Sequence, residues 1–289
     1  MEESLLINND SGDFRLIGGT SLLASRLASR VAEAGGSLLF GEVATSVSQR
    51  TDIGVEVTTL SGRVLRGCAA VVTLPPTALR HITFDPPLPA SQAEAIAKLE
   101  LGDLVKAPLQ FRTRWWDPTG DGSALPEHPG GKALHGCAGA VYEPTGGMPG
   151  GSTDRAGSSR VEASSGGLLM AYFAPPTTDE ITRLPTAECR LRRVLEYVAT
   201  VAPEGIDVHA EFEKGIVQCW REDESARGVY ATFGPGQYGF KQVLAQQHGH
   251  VSFAGEHTAL WCGYMNGAIE SGHRVAWEVW EQKPWRQSS

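Results

Sequence analysis

Residues 253–275 read as a short apolar strand that turns straight into a helix, with glycines at 255, 263, 267 and 272. Glycine has no Cβ, so a backbone carrying it approaches its neighbour closely, and the start of a helix offers unpaired amides at the positive end of its dipole. Met265 and Asn266 fall at that helix start. A chain built around such a junction is an α/β protein, and the helix start suits an anion or an electron-rich group. Close packing of strand on helix would by itself ask for glycine at the same positions.

The rest of the chain supplies elements of both kinds. Leu23, Leu27 and Val31 recur every four residues after Gly18-Gly19-Thr20, which predicts a helix ended by Gly35-Gly36. Strand-like runs follow at 37–40, 43–48, 55–60 and 69–74, with Ser61-Gly62 as turn chemistry. Pro75-Pro76 and then Pro86, Pro87 and Pro89 interrupt the pattern and place a crossing near residue 90. Beyond it the periodicity predicts a helix over 91–99, a strand over 104–111 ahead of Trp115-Trp116, and a strand over 168–173. A helix over 186–201 carries Leu191, Val194, Leu195 and Val198 on one face, and strands are predicted over 208–212 and 216–220. Residues 118–167 are rich in Gly, Pro and Ser and read as a long surface excursion. The expected organisation is a first lobe segment at 1–90, a second lobe at 91–221 containing that excursion, and a closing segment of the first lobe at 222–289.

Composition narrows the classes of function. With 41% hydrophobic and 20% charged residues the chain is that of an ordinary globular protein. Lys and Arg number 25 against 33 Asp and Glu, and the net charge of −8 argues against a nucleic-acid partner. No apolar stretch approaches the roughly 18 residues of a membrane helix, and the Met-Glu-Glu-Ser start lacks the features of a signal peptide. A cytoplasmic protein with no membrane partner is the expectation. Cys68, Cys137, Cys189, Cys219 and Cys262 are widely spaced with no CxxC pair, and His248 and His250 have no third ligand in view, so no metal is expected.

Three segments resemble the flavin-containing amine oxidases of the monoamine, polyamine and L-amino acid oxidase type. Phe253-Ala254-Gly255-Glu256-His257-Thr258, five residues, then Tyr264-Met265-Asn266-Gly267-Ala268-Ile269-Glu270-Ser271-Gly272 is similar to that family's last strand and helix. Trp220 followed by residues 228–236 resembles the stretch beside the flavin, and residues 104–111 with Trp115-Trp116 resemble the segment that carries the active-site lysine.

The resemblance implies an incomplete FAD-binding lobe and a substrate-binding lobe with a mixed sheet. It implies hydride transfer from the amine-bearing carbon to flavin, giving an imine that hydrolyses with release of ammonia, while O₂ reoxidises the flavin to H₂O₂. Tyr230 and Tyr264 match the aromatic pair that flanks the amine, and Lys106 matches the lysine that holds a water at the flavin. Gly255, Glu256, Gly263, Met265, Asn266 and Trp220 match cofactor-binding positions, with Glu256 directed to the ribityl or pyrophosphate region. Pro75 and Val43 match positions near the flavin and the adenine. Val229 stands where monoamine oxidases carry the cysteine that links the flavin, so the implied FAD is non-covalent. An amino acid substrate would need a cation, for which Arg112, Arg114 and Arg227 are candidates.

Gly234-Pro235-Gly236-Gln237-Tyr238-Gly239 satisfies GxGxxG, with Glu256 twenty residues after Gly236. Pro235 removes an amide from the phosphate-cradling turn, and the helix predicted at 240–247 is short for a βαβ crossover. The match is read as accidental. A βαβ unit needs about 30 residues, more than precede Gly18, and the nucleotide-binding half is expected on a second polypeptide. A chain on the same scaffold that binds no flavin by itself, as a non-catalytic partner or a truncated product, is the alternative.

Overall fold

The computed structural model describes residues 20–50, 54–116 and 166–282, together with strand segments 127–128, 131–136 and 139–142. Other residues of the 118–167 excursion lie outside the described residues. The chain divides into two compact units, one built from Val31–Gly102 and Arg221–Ser289, the other from Asp103–Trp220 with the chain up to Arg30. The sequence places a crossing near residue 90, and contacts change unit at Gly102 and Asp103.

Helix α1 (Ser21–Glu33) forms where the periodicity predicts it and ends at Gly35, whose φ of 81° is left-handed. Its apolar stripe is not buried: Leu27 is 56% exposed and Val31 43%. The run at 37–40 forms no strand. Strands β1 (Ala44–Arg50), β2 (Gly54–Thr59) and β3 (Val64–Gly67) make an antiparallel meander, and Gly62 with φ 84° turns β2 into β3. Strand β4 (Ala70–Val72) leads to helix α2 (Pro76–Leu79), which Pro75 caps. Strand β5 (Thr83–Asp85) then pairs parallel with β1, inside the proline-rich stretch that hides it from the periodicity. Helix α3 (Ala90–Lys98) and the two-residue β6 (Glu100–Leu101) follow.

In the other unit, β7 (Val105–Phe111) is the centre of a sheet. Within the excursion, β8 (Glu127–His128), β9 (Gly131–Gly136) and β10 (Gly139–Tyr142) extend that sheet from β11 (Gly167–Phe173), so part of a stretch read as loop is ladder. Both β7 and β11 alternate buried and half-buried along their whole length, the mark of a sheet with one face on the core. Helices α4 (Thr177–Thr182) and α5 (Ala187–Val201) cover that face through Ile181, Val194, Leu195 and Val198, and Thr186 caps α5 by accepting the Cys189 amide at 3.1 Å. The strand predicted at 208–212 is replaced by a short helix, α6 (Val208–Glu211), because Asp207 accepts the amides of His209 and Ala210, both at 3.0 Å, and starts a turn. Strands β12 (Phe212–Gly215) and β13 (Gln218–Cys219) then pair with β7.

The first unit resumes with β14 (Ala231–Thr232), antiparallel to β6, helix α7 (Phe240–Ala245), strand β15 (Val251–Phe253), parallel to β4, and helix α8 (Met265–Gln282). Its core gathers Val47, Val55, Leu79, Ile96, Leu99, Leu244, Val251 and Phe253. Burying a side chain such as Phe253, 2% exposed, stabilises by about 2–3 kcal/mol. Among the described residues no helix is long and apolar enough to cross a membrane, and none of the four described cysteines is in a disulfide.

Candidate functional site

Strand β15 delivers the chain to a junction that only glycine permits. Gly255 has φ 136°, and a Cβ there would stand 2.3 Å from Cε1 of His257. A Cβ on Gly267, in the first turn of α8, would stand 2.0 Å from the carbonyl oxygen of Trp261. Gly255 therefore makes room for the His257 ring, and Gly267 lets the helix approach the Trp261 backbone closely. The junction is fastened at several points: Gly255 donates its amide to Ser271 Oγ at 2.9 Å, and Arg274 donates to the Phe253 carbonyl at 2.8 Å. Ser271 and Arg274 were not singled out by sequence reasoning. Gly267, Ser271 and Val275 recur every four residues and form the buried face of α8, and that spacing is the signal for Ser271.

Glu256 organises the site. One carboxylate oxygen accepts the Ala231 amide at 2.9 Å, and the other accepts the Gly263 amide at 2.8 Å and the Cys262 thiol at 2.9 Å. Cys262, read only as a thiol in the sequence, is thus part of this network, and its Sγ is also 3.2 Å from the Ala231 carbonyl. The resemblance directs Glu256 to the cofactor. Here it joins the strand that follows Tyr230 to the loop that precedes Tyr264, and the remaining lone pairs of its carboxylate are what it has to offer a hydroxyl.

Tyr230 is held from the other side by a two-way backbone pair, Gly102 N–H to the Tyr230 carbonyl at 2.8 Å and Val229 N–H to the Gly102 carbonyl at 3.1 Å. Gly228, with φ 145°, permits this, since a Cβ would sit 2.4 Å from Leu101 Cβ. The Tyr230 ring lies over Gly263, 3.6 Å from where a Cβ would be. Tyr230 and Tyr264 are each 39% exposed, and Met265 is 53% exposed. The structure therefore brings Tyr230, Gly255, Glu256, Gly263, Tyr264, Met265 and Asn266 together at one helix start. Beside it runs an open groove of about 440 Å³ lined by Trp261, Asn266, Ile269, Glu270 and His273.

His257 lies buried beneath Gly255, and burial lowers its pKa to about 4, opposed by the nearby Glu256 charge. It is neutral at ordinary pH. Pro75 accepts the amides of Ala78 and Leu79 at the start of α2, and Thr77 in that helix donates to the Ala226 carbonyl at 3.3 Å, so α2 is tied to the run that leads to Tyr230. Arg227 in that run has φ 55° and a guanidinium nitrogen 2.6 Å from His81 Nε2. Val43 is 60% exposed, with its carbonyl accepting the Leu60 amide.

Lys106 and Trp220 lie in the other unit. Lys106 is on the half-buried face of β7, its Nζ 5.2 Å from the Tyr172 ring centroid, and burial holds its amine below the usual range. Trp220 donates its amide to the Leu104 carbonyl at 3.2 Å, and its buried indole N–H has no acceptor among the described residues.

These residues fit the ring end of a flavin: the first turn of α8 is exposed, with amides ahead of the intrahelical ladder, and Tyr230 stands next to it. The turn at 234–239 does not fit a pyrophosphate. It leaves a strand that is antiparallel to β6, closes on itself through Gly234 N–H to Gln237 Oε1 at 2.9 Å, and opens a six-residue helix.

Residues 2–280 match the family described as flavin containing amine oxidoreductase. The chain is 29% identical to amine oxidase [flavin-containing] B of Canis lupus familiaris over 94% of its own length and 48% of that protein's. It is likewise 29% identical to an L-glutamate oxidase precursor of Streptomyces viridosporus, over 96% of this chain and 51% of that one. Among solved structures, wild-type putrescine oxidase bound to putrescine matches with a TM-score of 0.70 at 20% identity, covering 91% of this chain and 53% of that one. The chain spans about half the length of the curated relatives it matches, and the fold is mixed α/β with several sheets.

Proposed function

The chain belongs to the flavin containing amine oxidoreductase family, and from that membership we propose that it forms the substrate-facing half of an FAD-dependent oxidase that deaminates an amine or an L-amino acid. The observation that carries this reading is the Glu256 clamp, which sets the Tyr230 ring over Gly263 at the open first turn of α8. Bound FAD supplies the hydride acceptor and, with O₂, yields H₂O₂.

The remaining work falls to this chain's own groups. Tyr230 and Tyr264 flank the amine and keep bulk water from the reacting carbon. The amide end of α8 at Met265 and Asn266 favours negative charge at the cofactor's pyrimidine. Lys106, held towards its neutral form by burial, positions a water. Val229 offers no thiol, so FAD is held non-covalently. Val43, Pro75, Trp220 and Gly255 complete the contacts. The pyrophosphate falls to a βαβ unit, and the oxidase is cytoplasmic.

The test is reconstitution. The chain is mixed with polypeptides carrying a dinucleotide-binding half, supplied with FAD, and assayed for peroxide with monoamines, polyamines and amino acids. Flavin reduction by one of these classes supports the reading. A flavin-loaded assembly that none of them reduces points to the non-catalytic partner instead.

A further inference from the structure

Lys106 stands in the middle of a row that crosses three strands. Tyr172 on β11 is directly opposite it on one side and Gln218 on β13 on the other. Directly opposed residues of antiparallel strands point the same way, with Cβ atoms about 5 Å apart. Both therefore flank the lysine on the sheet face that looks away from the core under α4 and α5. Of the two, Tyr172 reaches the amine, with Nζ 5.2 Å from its ring centroid. The charged groups further along this face, Glu213 and Lys214, stand beside Gln110, which at the rise of a strand is roughly 13 Å from Lys106. Among the described residues the ring is thus the partner of this amine.

We propose that Tyr172 is the positioning residue of Lys106, its ring face holding the amine in place and leaving the N–H donors to a water at the flavin. A carboxylate partner would take those donors for itself, whereas the face of a ring attracts the charge without offering a lone pair. Two influences meet on the amine. Burial holds it below the usual range, and the ring face favours the charged form. The water belongs to the oxidase reading above, on which this part of the inference rests, while the pairing of ring and amine belongs to the chain itself.

NMR on the unmodified chain carrying isotopically labelled lysine reads the pair directly, with Lys106 assigned by the signal lost in Lys106→Met. Its ε-methylene should be shifted upfield by the ring current and show nuclear Overhauser contacts to the Tyr172 ring protons. Tyr172→Leu should abolish both and lower the pKa of the amine by roughly 1. Tyr172→Phe should keep both and leave the pKa in place, and Gln218→Leu should keep the ring-current shift. In the reconstituted oxidase the pH midpoint of flavin reoxidation should fall by the same amount in Tyr172→Leu and return in Tyr172→Phe. An ε-methylene without ring-current shift in the unmodified chain overturns the proposal even where Tyr172→Leu fails to fold. So does a pKa that Tyr172→Leu leaves alone or that Tyr172→Phe lowers as far. The NMR signature together with a flavin-loaded assembly that no amine or amino acid reduces keeps the pair and sinks the oxidase reading, whereas a working oxidase whose reoxidation ignores Tyr172→Leu does the reverse.

Discussion

Glu256 accepts the backbone amide of Ala231 at 2.9 Å, and with its other oxygen the amide of Gly263 at 2.8 Å, so that one carboxylate spans the two segments bearing Tyr230 and Tyr264. The two segments are joined by this shared acceptor. The substitution Glu256→Gln keeps the length but turns one acceptor into a donor facing an amide. Thermal or urea unfolding should show a loss of about 1–3 kcal/mol, and the reconstituted assembly should hold FAD less tightly. Unchanged stability would mean that the clamp does not form.

Gly267 and Gly272 separate packing from propensity within one helix. A methyl at 267 meets the Trp261 carbonyl at 2.0 Å, whereas at 272 nothing lies within 4 Å. Gly267→Ala should cost about 1–3 kcal/mol, and Gly272→Ala should stabilise by up to about 1 kcal/mol, as alanine does in a helix interior. Equal effects in chemical denaturation would contradict the close approach at the start of α8.

His257 predicts a pH dependence of definite sign. Its folded pKa, about 4 against an ordinary 6.5, is depressed by burial, so below pH 6.5 the unfolded chain takes up a proton that the folded chain refuses. The stability is fully present above pH 6.5 and is lost as pH falls towards 4, by about 3 kcal/mol in all. His257→Asn should flatten that part of the unfolding profile. A wild-type profile already flat between those limits would place the imidazole in water.

For Tyr230→Leu in the reconstituted oxidase, loss of the ring face predicts a fall in kcat/KM for the amine of roughly threefold to thirtyfold. Flavin content should stay constant. Lys106→Met should act on the other half-reaction, slowing reoxidation by O₂ on the order of a hundredfold while leaving flavin reduction by substrate unchanged. Loss of the reductive step in Lys106→Met would remove the lysine from its proposed role.

The helices of this fold were legible wherever an apolar face repeated every three or four residues, as at Leu191, Val194, Leu195 and Val198. Where a side chain captures backbone amides, periodicity misleads. Asp207 does so, and the apolar run after it becomes a helical turn instead of a strand. Strand β5 was hidden because its pairing with β1 depends on a partner nearly forty residues earlier and its flanks are proline. In the site, glycines that forbid a Cβ were visible as a pattern, and Tyr230, Tyr264 and Glu256 were found through resemblance. The role of Glu256 in holding Ala231 and Gly263 was not visible, since a hydrogen bond across 25 residues leaves no trace in spacing.

The central claim is that this chain presents an amine to FAD. Anaerobic addition of amines and amino acids to the reconstituted assembly, followed by the visible absorption of its flavin, tests it most directly. Bleaching by one substrate class, slowed in Tyr230→Leu, is the predicted result. A flavin-loaded assembly whose absorption no amine or amino acid bleaches would contradict it.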